Sequence, residues 1–407
     1  FPVRRFSKPV VSATHPHFHI WFVFQIGCKY TEHFYLVKEK SINLFKYRYI
    51  CHVFSKCNHF MSEVRGNKRK KITIWVLIVL FVGAAIGVVF LRNAVFKPFE
   101  LSNSEYIYID KSKDYEKVVD QLKKNNLPSE KIFRIIAERM RYPQSVKSGR
   151  YELKNGMTMI DVVRSLRSGN QSAINLTFNN IRTVENLAGR ISSQLMLDSL
   201  NLVTVLRDTN VINNLGFDED TFIAMFIPNT YQVFWDVEPL ALLERMKKEY
   251  TRFWNNDRKQ KAEGVGLTPV QVSVLASIVE EEATYADEYP IVAGLYMNRL
   301  KKGMRLEADP TVKFAVGDFG LRRILFRHLE IESPYNTYKV SGLPPGPIRM
   351  PSMAAIDATL SPAYHEYLFM CAKEDLSGRH NFATTHAEHS RNAQRYQRAL
   401  NERGIYR

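Results

Sequence analysis

Cysteine is scarce in this chain, and its distribution excludes a disulfide framework for most of the sequence. The 407 residues contain four cysteines, and three of them, Cys28, Cys51 and Cys57, lie within the first 60 residues. Only Cys371 lies beyond residue 100, so that part of the chain cannot form an internal disulfide. A folded region of about three hundred residues buries enough apolar surface to be stable without one.

Ligand spacings typical of a metal site are also lacking. The cysteines and histidines of the first 60 residues do not form the paired spacings of a zinc site. A later group, consisting of His380, His386, Glu388 and His389, matches no standard zinc spacing either. The sequence therefore predicts neither a metal site nor a bound cofactor.

Methionine is absent from residues 1–60, and the first of the twelve methionines is Met61. The apolar residues of this stretch show no sustained period of 2 or 3.6, so they indicate neither a strand nor a helix. We interpret residues 1–60 as translated upstream sequence, with Met61 as the working start. A poorly ordered leader is the alternative.

Charge is absent from the run Ile72 to Leu91. About 20 apolar residues are enough to cross a hydrocarbon core of ~30 Å as a helix. More basic residues precede the run than follow it, and basic residues tend to stay on the cytoplasmic side. We therefore predict a basic cytoplasmic segment over 61–71, a single transmembrane helix over 72–92 and a linker over 93–103. The remaining chain would lie on the outer, periplasmic side of the cytoplasmic (inner) membrane.

Most of the positive charge lies near the amino terminus. Of the net charge of +16, residues 1–60 contribute +7 and residues 61–100 contribute +5, which leaves +4 for residues 101–407. A surface this weakly basic does not indicate a nucleic-acid partner.

The part beyond residue 103 is predicted to be an α+β region of two units. Over 104–172 the pattern is strand, helix, helix, strand, helix, with strands at Tyr106–Ile109 and Gly149–Leu153. Over 173–407 the pattern is mainly helical with short strands. Its helices include 183–194, 240–254 and 268–282.

The helix predicted over 268–282 carries the candidate chemistry. It starts with Thr268 and Pro269, and its apolar stripe is followed by Glu280, Glu281 and Glu282. One interpretation is that the helix continues past Thr284 and that Glu281 and Glu282 form a solvated face. Glu280 abuts Val279, and burial there would raise its pKa toward the range that a general acid needs.

A series of motifs carries a family resemblance. It begins with Leu275-Ala-Ser-Ile-Val-Glu-Glu-Glu282 and Asn298-Arg-Leu300. It continues with Asp309-Pro-Thr311, Tyr335-Asn-Thr-Tyr338, Gly342-Leu-Pro-Pro-Gly-Pro-Ile348 and His380-Asn-Phe382. In order and spacing the series resembles the endolytic murein transglycosylase, or YceG-like, family. One departure is Asn229, where many members have Asp.

The resemblance implies both a fold and an activity. It implies a LysM-like module at 104–172 and a mainly helical, lysozyme-like catalytic domain at 173–407. The implied reaction cleaves the β-1,4 bond between N-acetylmuramic acid and N-acetylglucosamine without water and leaves a 1,6-anhydro end. Glu280 would be the catalytic acid and base, acting on nascent peptidoglycan strands so that their elongation ends. The implied partners are cell-wall synthases, the penicillin-binding proteins.

Two other functions stay open from the sequence. A muramidase-type hydrolase would use a water activated by a second carboxylate, such as Asp309. A non-catalytic, membrane-anchored scaffold that binds glycan would have Glu280 as a surface residue.

Six further residues are candidates for substrate binding, because amide, charged and aromatic side chains suit carbohydrate. A structural role in a turn or at a helix end is the alternative for each of them. They are Asn298, Arg299, Asp309, Tyr335, Asn336 and Tyr338.

Overall fold

The structure, a computed structural model, describes residues 68–101, 104–125, 130–321 and 323–405. Contacts divide the chain into two compact units, 1–89 and 90–407, which are described separately. The interpretation of residues 1–60 as a leader lies outside the described residues.

The apolar run forms one long helix, α1, at Lys68–Phe96. Its central 20 residues, Lys71–Phe90, have a mean hydropathy of 2.8, and large side chains such as Phe81 and Phe90 are exposed. The predicted apolar helix is confirmed, and it is long enough to cross a membrane. Its orientation stays a prediction.

The second unit begins with a small α+β module. Its elements are β1 (Glu105–Ile109), α2 (Tyr115–Lys124), α3 (Glu130–Arg139), β2 (Gly149–Leu153) and α4 (Met159–Ser168). The two strands pair antiparallel, with Ile107 opposite Tyr151, and both side chains are buried in a core shared with the helices. This order of elements is the one that the sequence predicts. A LysM-like identity for the module stays a prediction.

A second core follows, built on another two-stranded antiparallel sheet. Strand β3 pairs with β4, and four helices and a short 3₁₀ turn at Phe222–Met225 surround them. These elements are β3 (Ile174–Phe178), α5 (Val184–Ser192), α6 (Ser199–Leu206), α7 (Thr209–Asn214), β4 (Asn229–Val233) and α8 (Pro239–Phe253).

The third core surrounds helix α10 (Pro269–Glu282), whose eight residues from Val272 to Val279 are all buried. Around it lie α9 (Asn256–Val265), α11 (Tyr289–Lys301), α12 (Asp309–Val316), α13 (Phe326–Leu329) and α14 (Met353–Leu360). The chain ends with the hairpin β5 (Phe369–Ala372) and β6 (His380–Ala383), followed by α15 (His386–Glu402).

Helix α10 has well-defined ends. Thr268 is its N-cap and Pro269 its first residue, as predicted, and the Thr268 and Gln271 side chains form a reciprocal capping box there. At its other end Ala283 is extended, with φ −106° and ψ 129°. The expectation that the helix continues past Thr284 is therefore wrong. The three glutamates form its last turn.

In the motif Leu343-Pro-Pro-Gly-Pro347, the space around Gly346 is too small for any side chain. A Cβ atom on Gly346 would lie 1.9 Å from the Asp220 carbonyl oxygen and 2.9 Å from the Tyr335 hydroxyl. The loop thus approaches the backbone of the second core so closely that only glycine fits.

Replacing Gly346 by Ala should therefore destabilise the fold by about 2 kcal/mol, in the range of overpacked sites. The matched control is Gly264→Ala in α9, where a Cβ meets nothing within 4 Å. That change should stabilise by about 0.5–1 kcal/mol, because Ala is the better helix former. Urea unfolding of the full chain measures both, and equal stability of the two variants would contradict the close approach.

Candidate active site

The last turn of α10 places three consecutive carboxylates in three different environments. Successive residues of a helix point about 100° apart, so Glu280, Glu281 and Glu282 cannot share one face. Because the helix is buried on nearly all sides, each carboxylate meets protein rather than bulk water. What each one meets decides its chemistry.

Glu280 is held by charged and polar donors. Its Oε2 atom accepts a hydrogen bond of 2.6 Å from the Ser352 backbone N–H, and its Oε1 lies 3.4 Å from an Arg349 nitrogen. The side chain is 13% exposed. These contacts suit a fixed anion.

Glu281 completes the same network. Its Oε1 atom lies 2.5 Å from Arg349 and 2.5 Å from Arg182, and its side chain is 15% exposed. The expectation of a solvated face is therefore wrong for Glu281. The four residues Arg182, Glu280, Glu281 and Arg349 are called the ion-pair network below.

Glu282 faces the opposite side of the helix and lines a cavity of about 350 Å³. Its Oε1 atom accepts a hydrogen bond of 3.0 Å from the Tyr296 hydroxyl. Burial raises the pKa of Glu282 to about 8, and the negative charge of Asp309 adds to the shift. This carboxyl is therefore protonated at neutral pH, as a general acid must be. For Glu282 too, the solvated-face expectation is wrong.

Two of the predicted binding residues also line this cavity. Asp309 is the first residue of α12, and its Oδ1 accepts a hydrogen bond of 2.7 Å from the Tyr338 hydroxyl. Both side chains line the same cavity as Glu282. Burial and the hydrogen bond to Asp309 raise the pKa of Tyr338, so it remains a donor. The cavity thus combines an acid, a second carboxylate and two hydroxyl groups.

Arg299 also lines the cavity, but its donors are engaged by the protein. Its Nε donates to the Arg305 carbonyl at 2.8 Å, its Nη1 donates to the Leu368 carbonyl at 3.2 Å, and its Nη2 pairs with Glu307. The side chain is 8% exposed. Its position supports the structural alternative over substrate contact.

The other three predicted residues lie outside this cavity wall. The Asn298 amide donates to the carbonyls of His365 and Tyr367, and the buried Asn336 amide donates to those of Leu329 and Ile331. Both contacts support the structural alternative. Tyr335 instead lines a second cavity, where its hydroxyl donates to Asp220 at 2.9 Å.

The histidines of the C-terminal region have protein partners of their own. His380 Nδ1 lies 3.0 Å from the Glu288 carboxylate, and His389 stacks on Phe369 with ring centroids 5.5 Å apart. The described residues contain no group of three or more His, Cys, Asp or Glu side chains placed to hold a metal ion. Asn229 is exposed at the first position of β4.

Glu282 continues the apolar stripe of α10. The apolar stripe of α10 includes Leu275, Ile278 and Val279. Glu282 follows these by seven, four and three residues, which puts it on the same face. Ala276 and Ser277, four and three residues before Glu280, are buried as well, so helical phase does not distinguish the two glutamates. Their contacts in the fold do.

Replacing Glu282 by Gln should raise the stability of the protein at pH 7–8 but not near pH 4. In the wild type the folded state binds this proton more tightly than the unfolded state, whose carboxyl has an ordinary pKa of 4.5. Stability therefore falls as pH rises from about 4.5 to about 8. Gln cannot ionise and escapes this loss.

The matched control is Glu280→Gln, which weakens the pairing of buried Arg349 and should lower stability at pH 7. Thermal unfolding of the full chain in detergent between pH 4 and pH 8.5 measures both variants. A Glu282→Gln variant that is less stable than the wild type at pH 8 would contradict a protonated Glu282.

Comparison with known proteins gives a consistent result. The YceG-like family model matches residues 107–395. The endolytic murein transglycosylase of Bacillus subtilis (strain 168) is 30% identical over 303 residues, which cover 69% of this chain and 82% of that protein. The endolytic murein transglycosylase of Streptococcus pneumoniae serotype 2 is 28% identical over 155 residues, 37% of this chain and 27% of its own length.

Among solved structures, the 2.6 Å crystal structure of a yceG-like protein from Listeria monocytogenes is similar with 25% identity and a TM-score of 0.47. The match covers 71% of this chain and 99% of that one. The family model spans well over half of the 407 residues, from the first strand of the α+β module into the last helix. The chain therefore belongs to the YceG-like family.

Proposed function

We propose that this chain is a peptidoglycan lytic transglycosylase that cuts glycan strands internally. The observation that carries the proposal is Glu282, a carboxyl protonated at neutral pH in the wall of a polar cavity. The curated relatives, both named endolytic murein transglycosylases, support the substrate and the reaction class. The bond cleaved would be the β-1,4 bond between N-acetylmuramic acid and N-acetylglucosamine.

One acid is enough for this reaction. Protonated Glu282 gives its proton to the glycosidic oxygen as the bond from that oxygen to C1 of the muramic acid breaks. The C6 hydroxyl of the same sugar then bonds to C1, and the Glu282 carboxylate takes the hydroxyl proton. Attack from within the sugar is favoured by effective molarities of order 10⁵ M or more. The product carries a 1,6-anhydro end, and Glu282 is protonated again.

Surrounding residues fit these two states of Glu282. The Tyr296 hydroxyl bonds Oε1, so it fixes the carboxyl and stabilises the carboxylate formed after proton transfer. Asp309 lines the same cavity, and its negative charge favours the positive charge that develops at C1 in the transition state.

This assignment differs from the one that the motif implied. By resemblance Glu280 was expected to be the acid. Its ion pair with Arg349 and its bond from Ser352 favour a carboxylate that ties loops together. We therefore propose that Glu282 is the acid and that Glu280 is a positioning residue.

A second function is favoured by one observation, the presence of Asp309 in the cavity of Glu282. Two carboxylates in one site are the equipment of a glycoside hydrolase. A muramidase would use Asp309 to activate a water, and its product would have reducing ends instead of anhydro ends.

Helix α1 supports a proposal for the place of action. We propose that this apolar helix tethers the enzyme to the cytoplasmic membrane, with residues 97–407 outside. There it would meet nascent strands beside the cell-wall synthases that make them, and internal cuts would end strand elongation.

The Glu282→Gln variant should lose at least about a hundredfold of the cleavage rate, the usual contribution of a general acid. Glu280→Gln should keep most activity under conditions where it is folded. The measurement is mass spectrometry of fragments released from purified peptidoglycan by the full chain in detergent. Anhydro ends on the fragments would support the transglycosylase, and reducing ends would support the hydrolase. An inactive Glu280→Gln variant together with an active Glu282→Gln variant would contradict the assignment of Glu282 as the acid.

Deleting residues 61–97 should release the protein from the membrane fraction without changing the ends of its products. Fractionation of cells that express the full chain or the deletion variant, with and without an alkaline wash, measures this. Wash-resistant membrane binding by the deletion variant would contradict the single-helix tether.

A further inference from the structure

A second cavity, of about 520 Å³, is lined in part by Arg182 of the ion-pair network. Its walls come from the connection between β3 and α5, from the end of α6, from residues 219–223 and from α12. Tyr335 and Pro347, both from the motifs of the sequence, also line it. Nothing in the proposed cleavage step uses this cavity.

The cavity is lined by apolar side chains and by charged side chains of both signs. Its interior is lined by apolar side chains that include the buried Leu206, Ile212 and Phe222. Five charged side chains also line it, and two of them, Arg182 and Asp220, are bound to Glu281 and Tyr335. The other three, Glu185, Arg207 and Glu219, carry charges of both signs. A ligand with both a cationic and an anionic group can pair with them, whereas a fully apolar ligand cannot.

The charged groups of the lining remain available to a ligand. Arg207 pairs with Glu185, and both side chains are about half exposed or more, at 65% and 48%. Glu219 accepts one hydrogen bond of 3.0 Å, from the Thr209 hydroxyl. Exposed pairs of this kind are weak, so a ligand carboxylate can recruit the guanidinium and a ligand ammonium can recruit a carboxylate.

The cavity lies close to the site of cleavage along two elements. Asp309 and Phe314 are both on α12 and line the two cavities, and five residues of helix span about 7.5 Å. Tyr338 and Tyr335, three residues apart, likewise line one cavity each. The two cavities are therefore neighbours along α12 and along the segment from Tyr335 to Tyr338.

We propose that the second cavity binds the peptide stem carried by the glycan strand. A short peptide with small aliphatic side chains, a free ammonium and free carboxylates matches the apolar interior and both signs of charge. The inference rests on the proposed function, because only that function brings a stem beside Glu282. It assigns Arg207 and Glu219 a role in substrate affinity and none in proton transfer.

The test compares one strand with and without stems. Glycan strands that bear peptide stems, and the same strands after an amidase has removed the stems, are cleaved by the full chain in detergent. The double variant Arg207→Gln/Glu219→Gln should raise KM about tenfold on stem-bearing strands, which corresponds to about 1.4 kcal/mol, with kcat unchanged. On stripped strands it should match the wild type. The control is Arg252→Gln, because Arg252 is an exposed arginine paired with Glu249 on α8. This variant should cleave both kinds of strand as the wild type does.

Direct binding separates this inference from the proposed function. Calorimetry with a synthetic stem tetrapeptide should show binding by the wild type and its loss in the double variant, and blocking the peptide's termini should also weaken it. Peptide binding without glycan cleavage would overturn the cleavage function and keep the site. Two results would overturn the stem site. One is cleavage by the wild type with the same KM on stem-bearing and on stripped strands. The other is a double variant whose KM rises equally on both kinds of strand.

Discussion

The structure depends on how a buried helix end accommodates three carboxylates. Moving an ionised carboxyl out of water is costly unless it is paired, and the alternative is that the group takes up a proton. Helix α10 uses both solutions. Glu280 and Glu281 are paired with arginines, whereas Glu282 becomes neutral. One turn of helix therefore supplies both a structural anchor and an acid.

The paired side of this turn binds arginines from segments that are distant in sequence. Arg182 follows Ile181 of the second core, and Arg349 lies between Ile348 of the third core and Met350 of the second. Their bonds to Glu281 fix the loops on which the second cavity is built. The neutral side opens to the cavity with Asp309 and Tyr338. The ion-pair network thus holds the loop of Arg182, which lines the second cavity.

Much of the fold was predictable, because capping residues and apolar periodicity are local signals. The order of elements over 104–172 and the start of α10 at Thr268 both follow from them. The different environments of the three adjacent glutamates were harder to predict, because the groups that contact them come from distant segments. Arg349 and Ser352 contact Glu280, and Tyr296 contacts Glu282. Asp309 and Tyr338 were identified from motifs, but their pairing needs the fold. The same holds for Asn298 and Asn336, whose amides bond backbone carbonyls that local sequence does not bring near.

The central claim is that Glu282 holds a proton at neutral pH. Difference infrared spectroscopy of the full chain in detergent, wild type against Glu282→Gln, observes the carboxyl directly. The account predicts that the variant removes the carbonyl band of a neutral carboxyl at pH 7, and that in the wild type this band converts to a carboxylate band as pH rises through about 8. Loss of a carboxylate band alone at pH 7 would contradict it, because Glu282 would then be an anion with no proton to donate.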